Sequence, residues 1–80
     1  MNDCTVEFVI EPFTEGSPGP HVVAGIEAIE TRGLVVTMGP FGSTVSGPVE
    51  IVSSAISAMV EAAVKDGAKR VLVEVVIDES

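Results

Sequence analysis

The sequence has little of what most catalytic and metal sites are built from: it contains one cysteine, one histidine, and no tryptophan or tyrosine. A single cysteine excludes an intrachain disulfide and a cysteine-based zinc site, and a single histidine adds no second metal ligand. Lysine and arginine number 4 against 12 aspartate and glutamate residues, a net charge of -8, which argues against nucleic acid or an anionic membrane as a partner. These absences predict a protein with no metal site, no catalytic cofactor, and no nucleic-acid or membrane partner.

Long apolar segments are also missing from the sequence. No stretch approaches the ~20 apolar residues of a membrane-spanning helix, and the first residues lack the basic and apolar regions of a signal peptide. With 46% hydrophobic residues the chain is nevertheless too apolar for disorder, and its 80 residues suffice for one domain, 1–80. Because a core of this size is marginal alone, the sequence predicts a cytoplasmic single-domain protein that gains stability by self-association.

The first part of the chain predicts a strand followed by a helix. Residues 4–11 alternate with a period of two, which is typical of a half-buried strand, and place Thr5, Glu7, Val9 and Glu11 on its polar side. After a loop rich in proline and glycine, a helix is predicted to about Arg32, with Gly33 as its stop. The predicted core positions of the two elements are Cys4, Val6, Phe8, Ile10, Val22, Ile26 and Ile29.

The second part of the chain predicts three more strands and one more helix. Strands are expected at 34–38 and 43–46, joined by the turn 39–42, and the strongest strand is expected at 69–77. Between them lies a helix over 48–66, whose predicted core stripe is Val49, Val52, Ile56, Val60 and Ala63. The order βαββαβ predicts an α+β, ferredoxin-like sandwich, in which two helices cover one face of a four-stranded antiparallel sheet.

In this topology the first and last strands are neighbours, and their polar sides lie on the open face of the sheet. Glu7 and Glu74 are then expected close together, an arrangement of like charges that is unfavourable unless it is solvated or neutralised. Two interpretations remain open. The pair consists either of two solvated carboxylates or of a seat for a cation or a subunit contact.

Nucleophilic catalysis has no support in the sequence. His21 lies at a predicted helix start and Cys4 on a strand, and the chain has no Gly-x-Ser-x-Gly motif. The glycines at 39, 42 and 47 have no lysine beside them, so a hairpin turn explains them better than a phosphate loop. We interpret Cys4 as a buried apolar residue, and His21 as a surface or loop-packing residue, a ligand contact or, with the least support, a catalytic base. The sequence therefore predicts a protein that is not an enzyme.

Two of the three phenylalanines lie in loops beside prolines. Phe13 and Phe41 follow the first two strands, which run parallel in this topology, so both are expected at the same end of the sheet. They either pack on their own prolines or form an apolar slot for a flat, cationic, nitrogen-rich small molecule. The slot would take hydroxyls and negative charge from Thr14, Thr37, Ser43, Thr44, Glu11 and Glu15.

The hairpin carries a resemblance to a known family. Residues 39–47, Gly-Pro-Phe-Gly-Ser-Thr-Val-Ser-Gly, align without a gap with the pattern Thr-Pro-Met-Gly-Thr-x-Ile-Glu-Gly of small ferredoxin-like thiamine-binding proteins of the YkoF type. The similarity runs from about Val6 to Asp78 and includes Ile10-x-Pro12, Ala24-x-Ile26-Glu27-Ala28-Ile29, Gly33 and Gly67-Ala68-x-Arg70-Val71.

The chain departs from this family pattern at three hairpin positions. Gly39, Phe41 and Ser46 stand where the family has threonine, methionine and glutamate. Ser43 keeps the hydroxyl of the family's second threonine. Ser46 removes a carboxylate that would pair with an aminopyrimidine or a thiazolium ring.

The resemblance implies a non-enzymatic protein that binds thiamine or its hydroxymethylpyrimidine moiety as a ligand rather than as a catalytic cofactor, and that forms homodimers or homotetramers. It implies a ligand ring held between Phe13 and Phe41, with its charge balanced by Glu11. His21 would line the entrance, and the implied hydroxyl contacts are Thr14, Thr37, Ser43, Thr44 and Ser46. The alternative is a structural or regulatory oligomerisation module without a small-molecule ligand, which rests on the apolar side chains predicted for the open face, Val9, Leu72 and Val76.

Overall fold

Four strands form one antiparallel sheet in the order β2-β3-β1-β4, and two helices pack on one of its faces. The computed structural model describes residues 2–14 and 16–78. Both β1 and β2 run antiparallel to β3, so they are parallel to each other. The α+β, ferredoxin-like prediction is confirmed by the elements β1 (Asp3–Glu11), α1 (Pro20–Glu30), β2 (Thr37–Gly39), β3 (Gly42–Pro48), α2 (Val49–Lys65) and β4 (Arg70–Asp78).

The core lies between the helices and the central strands. β1 pairs with β3 on one side and with β4 on the other, and its alternation is the predicted one, with every second side chain buried beneath the helices. The buried apolar side chains are Cys4, Val6, Phe8, Ile10, Val22, Ile29, Val45, Val52, Ala55, Met59 and Ala63.

Helix α1 begins with Pro20, whose missing N–H is unneeded in the first turn. It ends at Glu30, two residues before the predicted Arg32, and the chain leaves it through Gly33 at φ +82°, a conformation that favours glycine. Arg32 lies just beyond the helix and stabilises its C-terminal end, because its Nη1 donates to the carbonyl oxygen of Ala28 at 3.2 Å.

The core stripe predicted for α2 is only partly right. Val52 and Ala63 are buried as expected, but Val49, Ile56 and Val60 are half-buried, and the remaining fully buried positions are Ala55 and Met59. The reason is the close approach of α1 at Gly25. A Cβ atom on Gly25 would lie 3.2 Å from Met59 Cγ and 3.5 Å from Ala63 Cβ, so this side of α2 faces α1.

The second strand is shorter than predicted. The expected strand 34–38 is reduced to Thr37–Gly39, the only residues of this segment that pair with β3. Leu34 leaves the strand direction because its side chain packs over Gly47, where a Cβ atom would lie 3.2 Å from Leu34 Cδ2. Gly47 therefore gives Leu34 a place in the core, and β3 extends past β2 to Pro48. In the described residues, neither helix is long and apolar enough to cross a membrane.

Candidate functional site

A row of polar side chains crosses the open face of the sheet at one register. Thr37 lies opposite Thr44, Thr44 opposite Glu7, and Glu7 opposite Glu74, so all four strands contribute one residue. The expected proximity of Glu7 and Glu74 is confirmed, since they are direct cross-strand partners. Like charges in this arrangement repel each other, which makes the row a place where a cation is favoured.

A cavity of about 470 Å³ lies over this row, at the end of the sheet where the β2–β3 hairpin turns. Its size falls within the range of small-molecule sites, roughly 300–1,000 Å³. Of the described residues that line it, none is basic. The lining consists of Glu7, Phe8, Val9, Gly39, Pro40, Phe41, Gly42, Ser43, Thr44, Leu72, Val73 and Glu74.

The hairpin tip is held against β1 by a close backbone contact. A Cβ atom on Gly42 would lie 3.0 Å from the carbonyl oxygen of Phe8 and 3.1 Å from Val9 Cγ2. Gly42 has φ +155°, so glycine meets both the conformational and the steric requirement. Phe41, at the turn, is 93% exposed. The site thus has a free aromatic ring at its rim, available to cover an occupant.

A second cavity of about 420 Å³ adjoins the first and shares Thr44 with it. It follows β3 toward its C-terminal end, beside the irregular segment that replaces the predicted start of the second strand. Thr37, Thr44 and Ser46 give it hydroxyl groups, and its other lining residues are Gly33, Leu34, Val35 and Val45. The two cavities together offer room for more than one ring.

Ser46 belongs to a small hydroxyl cluster on the same face. Its Oγ lies 3.0 Å from Thr5 Oγ1, and Thr5 Oγ1 donates to Asp78 Oδ2 at 3.2 Å. The position where the resembled family has a glutamate is therefore filled by a hydroxyl that already has a partner.

Several residues that the sequence suggested for the ligand site lie at these cavities. Phe41, Ser43 and Thr44 line the first, and Thr37, Thr44 and Ser46 line the second. Ser43 is buried and lies opposite Phe8, on the helix-facing side of the sheet rather than on the open face.

The remaining suggested residues lie elsewhere. Glu11 lies at the end of β1, where its Oε1 is 3.5 Å from Arg70 Nε. Phe13 is half-buried against the core, Thr14 is exposed in the loop, and a ring nitrogen of His21 hydrogen-bonds the carbonyl oxygen of Pro12. None of these four residues is among those lining the two cavities, and Glu15 lies outside the described residues.

The sequence-based site did not include the carboxylates that the structure places in the cavity. Glu11 and Glu7 lie on the same side of β1, and pattern alone does not show which of them lies beneath the hairpin. The register decides it, because Phe8 lies opposite Ser43 and the tip therefore covers Glu7 and Val9. The predicted proximity of Glu7 and Glu74 was the sequence feature that could have identified these carboxylates as site residues.

The cysteine is not positioned for chemistry. Burial raises the pKa of the Cys4 thiol, and the nearby Asp78 and Asp3 carboxylates act in the same direction. A buried neutral thiol is a poor nucleophile. Within 2–14 and 16–78, no group of three His, Cys, Asp or Glu side chains is placed to hold a metal ion.

Fold and site together define a small α+β domain with a ligand-sized cavity on its open sheet face. The sequence matches the profile of a family described as "Thiamine-binding protein" over residues 6–80. The chain belongs to this thiamine-binding protein family.

Solved structures support the same fold. A proposed thiamine biosynthesis/salvage protein from Thermotoga maritima is 25% identical, with a TM-score of 0.68, and the match covers 98% of this chain and 84% of that one. A domain of unknown function from Bacillus cereus is 20% identical (TM-score 0.70, 98% and 76% coverage), and a hypothetical protein from Methanocaldococcus jannascii is 22% identical (TM-score 0.71, 100% and 82%). No curated protein matches the sequence.

Proposed function

We propose that this protein is a non-enzymatic binding protein for thiamine or a related pyrimidine such as hydroxymethylpyrimidine, and that the ligand occupies the hairpin cavity. The observation that carries the proposal is the opposed pair of Glu7 and Glu74, which lines the same cavity as the exposed Phe41, in a chain of the thiamine-binding family.

Electrostatics favour a cationic ligand here. Two carboxylates directly opposite each other raise the free energy of the empty site, and a positive ring placed over them removes that penalty. The thiazolium ring of thiamine carries a permanent positive charge, and an aminopyrimidine offers N–H donors to a carboxylate. Because no described lining residue is basic, we expect phosphate esters to bind more weakly than the free compounds.

The remaining lining residues suit a flat ring. Val9 and Leu72 provide an apolar floor, and Phe41 stacks on the exposed side of the ligand. Thr44 offers a hydroxyl at the boundary between the two cavities. A two-ring compound would place its second ring toward Thr37 and Ser46 in the adjoining cavity.

The absence of catalysis is part of the proposal. Cys4 is buried, and His21 lies outside both cavities with a ring nitrogen engaged by the Pro12 carbonyl. The proposed cavity thus holds a ligand between carboxylates, hydroxyls and an aromatic ring without a nucleophile. A cytoplasmic location and assembly as a homodimer or homotetramer complete the proposal.

Isothermal titration calorimetry with thiamine and with hydroxymethylpyrimidine tests the ligand. We expect saturable heat with at least one compound, together with a rise in the unfolding temperature. Phe41→Ala should weaken binding about 10-fold without affecting folding, since the side chain is almost fully exposed. Val64→Ala, at an exposed apolar residue of α2 that lines neither cavity, is the matched control and should bind like the wild type. Absence of heat and of a thermal shift with both compounds at millimolar concentration would sink the proposal.

Charge removal tests the position of the ligand. Glu7→Gln and Glu74→Gln should each weaken thiamine binding about 10-fold, because each leaves one carboxylate facing the cation. Glu30→Gln, on an exposed helix position, makes the same charge change away from the cavity and should bind like the wild type. Equal affinities in all three variants would place the ligand elsewhere.

A second candidate function is an oligomerisation module that binds no small molecule. The observation that favours it is the apolar surface of β4, which is exposed on both faces of the sheet. Self-association without binding of either compound would support this second function over the first.

A further inference from the structure

Three polar side chains on the open face of the sheet form a hydrogen-bonded chain across three strands. Ser46 on β3 lies directly opposite Thr5 on β1, and their hydroxyl oxygens are 3.0 Å apart. Asp78 on β4 is a diagonal neighbour of Thr5, and its Oδ2 lies 3.2 Å from Thr5 Oγ1. Ser46 lines the second cavity, whereas Thr5 and Asp78 line neither the first nor the second. Thr5 and Asp78 therefore act on that cavity only through Ser46.

The number of available protons sets the direction of this chain. A carboxylate has no proton to donate, so Thr5 is the donor in its contact with Asp78. A hydroxyl has one proton, and Thr5 then has none left for Ser46. The contact between the two hydroxyls is therefore made by the proton of Ser46. The order Ser46 to Thr5 to Asp78 forms both hydrogen bonds, whereas the reverse order between the hydroxyls leaves Thr5 and Asp78 without a proton between them.

This order leaves Ser46 with only lone pairs to offer to the cavity. A serine hydroxyl ordinarily rotates to donate or to accept, depending on its partner. Here its proton is held by Thr5, and the carboxylate at the end of the chain strengthens both bonds and makes the Ser46 oxygen a better acceptor. At this point of the second cavity the protein thus presents a hydrogen-bond acceptor of fixed polarity.

We propose that Thr5 and Asp78 are positioning residues that make the second cavity selective for a ring with an amino group over the same ring with an oxo group. The inference rests on the proposed function, in which the thiazolium ring lies over the carboxylate row and the second ring lies beside Ser46. An amino group donates to Ser46 Oγ. An oxo group at the same place brings lone pairs against lone pairs, and Ser46 can donate to it only by giving up its bond to Thr5.

A purely structural role for the same contacts makes a different prediction. Hydrogen bonds between opposite Ser and Thr side chains stabilise strand pairs, so their loss lowers the free energy of unfolding whatever the ligand. That role does not change the preference between two ligands of equal charge and nearly equal shape. The ratio of two affinities is therefore the measurement that separates a positioning role from a structural one.

Calorimetric titration with thiamine and with oxythiamine measures this ratio. Oxythiamine carries an oxo group in place of the pyrimidine amino group and keeps the thiazolium ring. We expect the wild type to bind thiamine about 10-fold more tightly, the worth of one hydrogen bond. Thr5→Val keeps a β-branched side chain on the strand but frees the Ser46 proton, so the ratio should fall below about 3-fold. Thr5→Ser keeps the hydroxyl and should retain the wild-type ratio.

Asp78→Asn tests the far end of the chain. An amide both donates and accepts, so it no longer fixes the proton order, and the ratio should fall as it does in Thr5→Val. Both compounds carry the same thiazolium charge, so the loss of one carboxylate affects their affinities alike and cancels in the ratio. Thr14→Val, in the exposed loop, and Glu61→Gln, on an exposed position of α2, are the matched controls and should retain the wild-type ratio.

The inference and the proposed function fail in different ways. Saturable binding of thiamine with an unchanged ratio in Thr5→Val and Asp78→Asn would overturn the inference and leave the proposed function intact. Equal affinities of the wild type for the two compounds would do the same. Absence of heat with both compounds would instead overturn the proposed function, and the ligand preference with it.

Discussion

Strands β1 and β4 are neighbours of equal length, yet they have opposite environments. On the helix-facing side Val6 lies directly opposite Val75, but Val6 is 1% exposed and Val75 is 52% exposed. The two strands have similar apolar alternation, but the helices pack mainly over β1 rather than over β4. Burial is therefore decided by the place of a strand in the sheet.

The same difference has a functional side. β1, in the centre, contributes Glu7 and Val9 to the hairpin cavity and closes the core beneath them. β4 contributes Leu72 and Glu74 to the cavity, while its outer edge pairs with no strand among residues 2–14 and 16–78. A central strand thus provides stability, whereas an edge strand with the same kind of sequence leaves apolar surface exposed.

The largest expected effect is the difference in stability lost when Val6 and Val75 are each shortened to alanine. Val6→Ala should lower the free energy of unfolding by about 2–3 kcal/mol, because it removes buried methyl groups and leaves a cavity. Val75→Ala should change the stability of the isolated protomer by less than about 0.5 kcal/mol. Urea unfolding at concentrations below the dimerisation range measures both. Equal losses of unfolding free energy would mean that Val75 is covered within one protomer as well as Val6 is, and that β1 and β4 do not differ in burial.

A smaller effect tests how closely α1 approaches β1. A Cβ atom on Gly25 would lie 2.6 Å from Ile10 Cδ1, so Gly25→Ala must displace a side chain inside the packed core. Alanine gains about 1 kcal/mol of helix propensity, but overpacking costs about 1–3 kcal/mol, and we expect a net loss of about 1 kcal/mol. Thermal or urea unfolding measures it. A stabilised Gly25→Ala variant would show that the helix and β1 are less tightly packed than the contact indicates.

A still smaller effect compares the two carboxylates of the cross-strand pair. Without ligand, Glu7→Gln should raise the free energy of unfolding by about 0.5 kcal/mol, because it removes the repulsion from Glu74. Glu74→Gln removes the same repulsion and should raise the free energy of unfolding by a similar amount. Urea unfolding of both variants measures the effect. Unchanged stability in both variants would show that the two carboxylates do not repel each other.

The fold was largely predictable because its signals are local. The alternation of residues 4–11, the stops at Gly33 and Gly67 and the apolar run 71–77 set the order of elements, and the structure confirms it. Two local signals misled. The segment Leu34–Val36 is apolar, but Leu34 packs over Gly47, Leu34 and Val36 contact the core, and Val35 is exposed, so it does not pair as a strand. The buried stripe of α2 is set by the approach of α1 at Gly25.

The site was less predictable because it depends on register. The chain order placed Phe13 and Phe41 at the same end of the sheet, but packing takes Phe13 to the helix-facing core and leaves Phe41 exposed. The carboxylate beneath the hairpin is selected by the pairing of Phe8 with Ser43, which no composition or spacing reveals. The sequence placed Leu72 and Val76 on the open face, but the exposure of Val73, Val75 and Ile77 on the helix-facing side was hidden, since the sequence of β4 resembles that of a buried strand.

The smallest expected effect concerns Cys4, which lies on the buried side of β1 directly opposite the exposed Ile77. Burial first, and then Asp78 and Asp3, raise the pKa of its thiol above the ordinary value of 9.0. Above that pH the unfolded chain loses the thiol proton while the folded chain keeps it, so the folded state binds more protons and stability falls as the pH rises. This contribution is fully present below pH 9.0 and is lost as the pH rises toward the pKa of the folded state.

Cys4→Ala removes this contribution, so its unfolding free energy should decline less steeply above pH 9.0 than that of the wild type. Urea unfolding across that pH range measures the difference, and a thiol reagent gives an independent check. We expect the native protein to react slowly and the urea-unfolded protein to react fast. Fast reaction of the native thiol would show that the reagent reaches Cys4 past the exposed side chains of β4. The boundary between buried and accessible side chains would then lie within β1 itself.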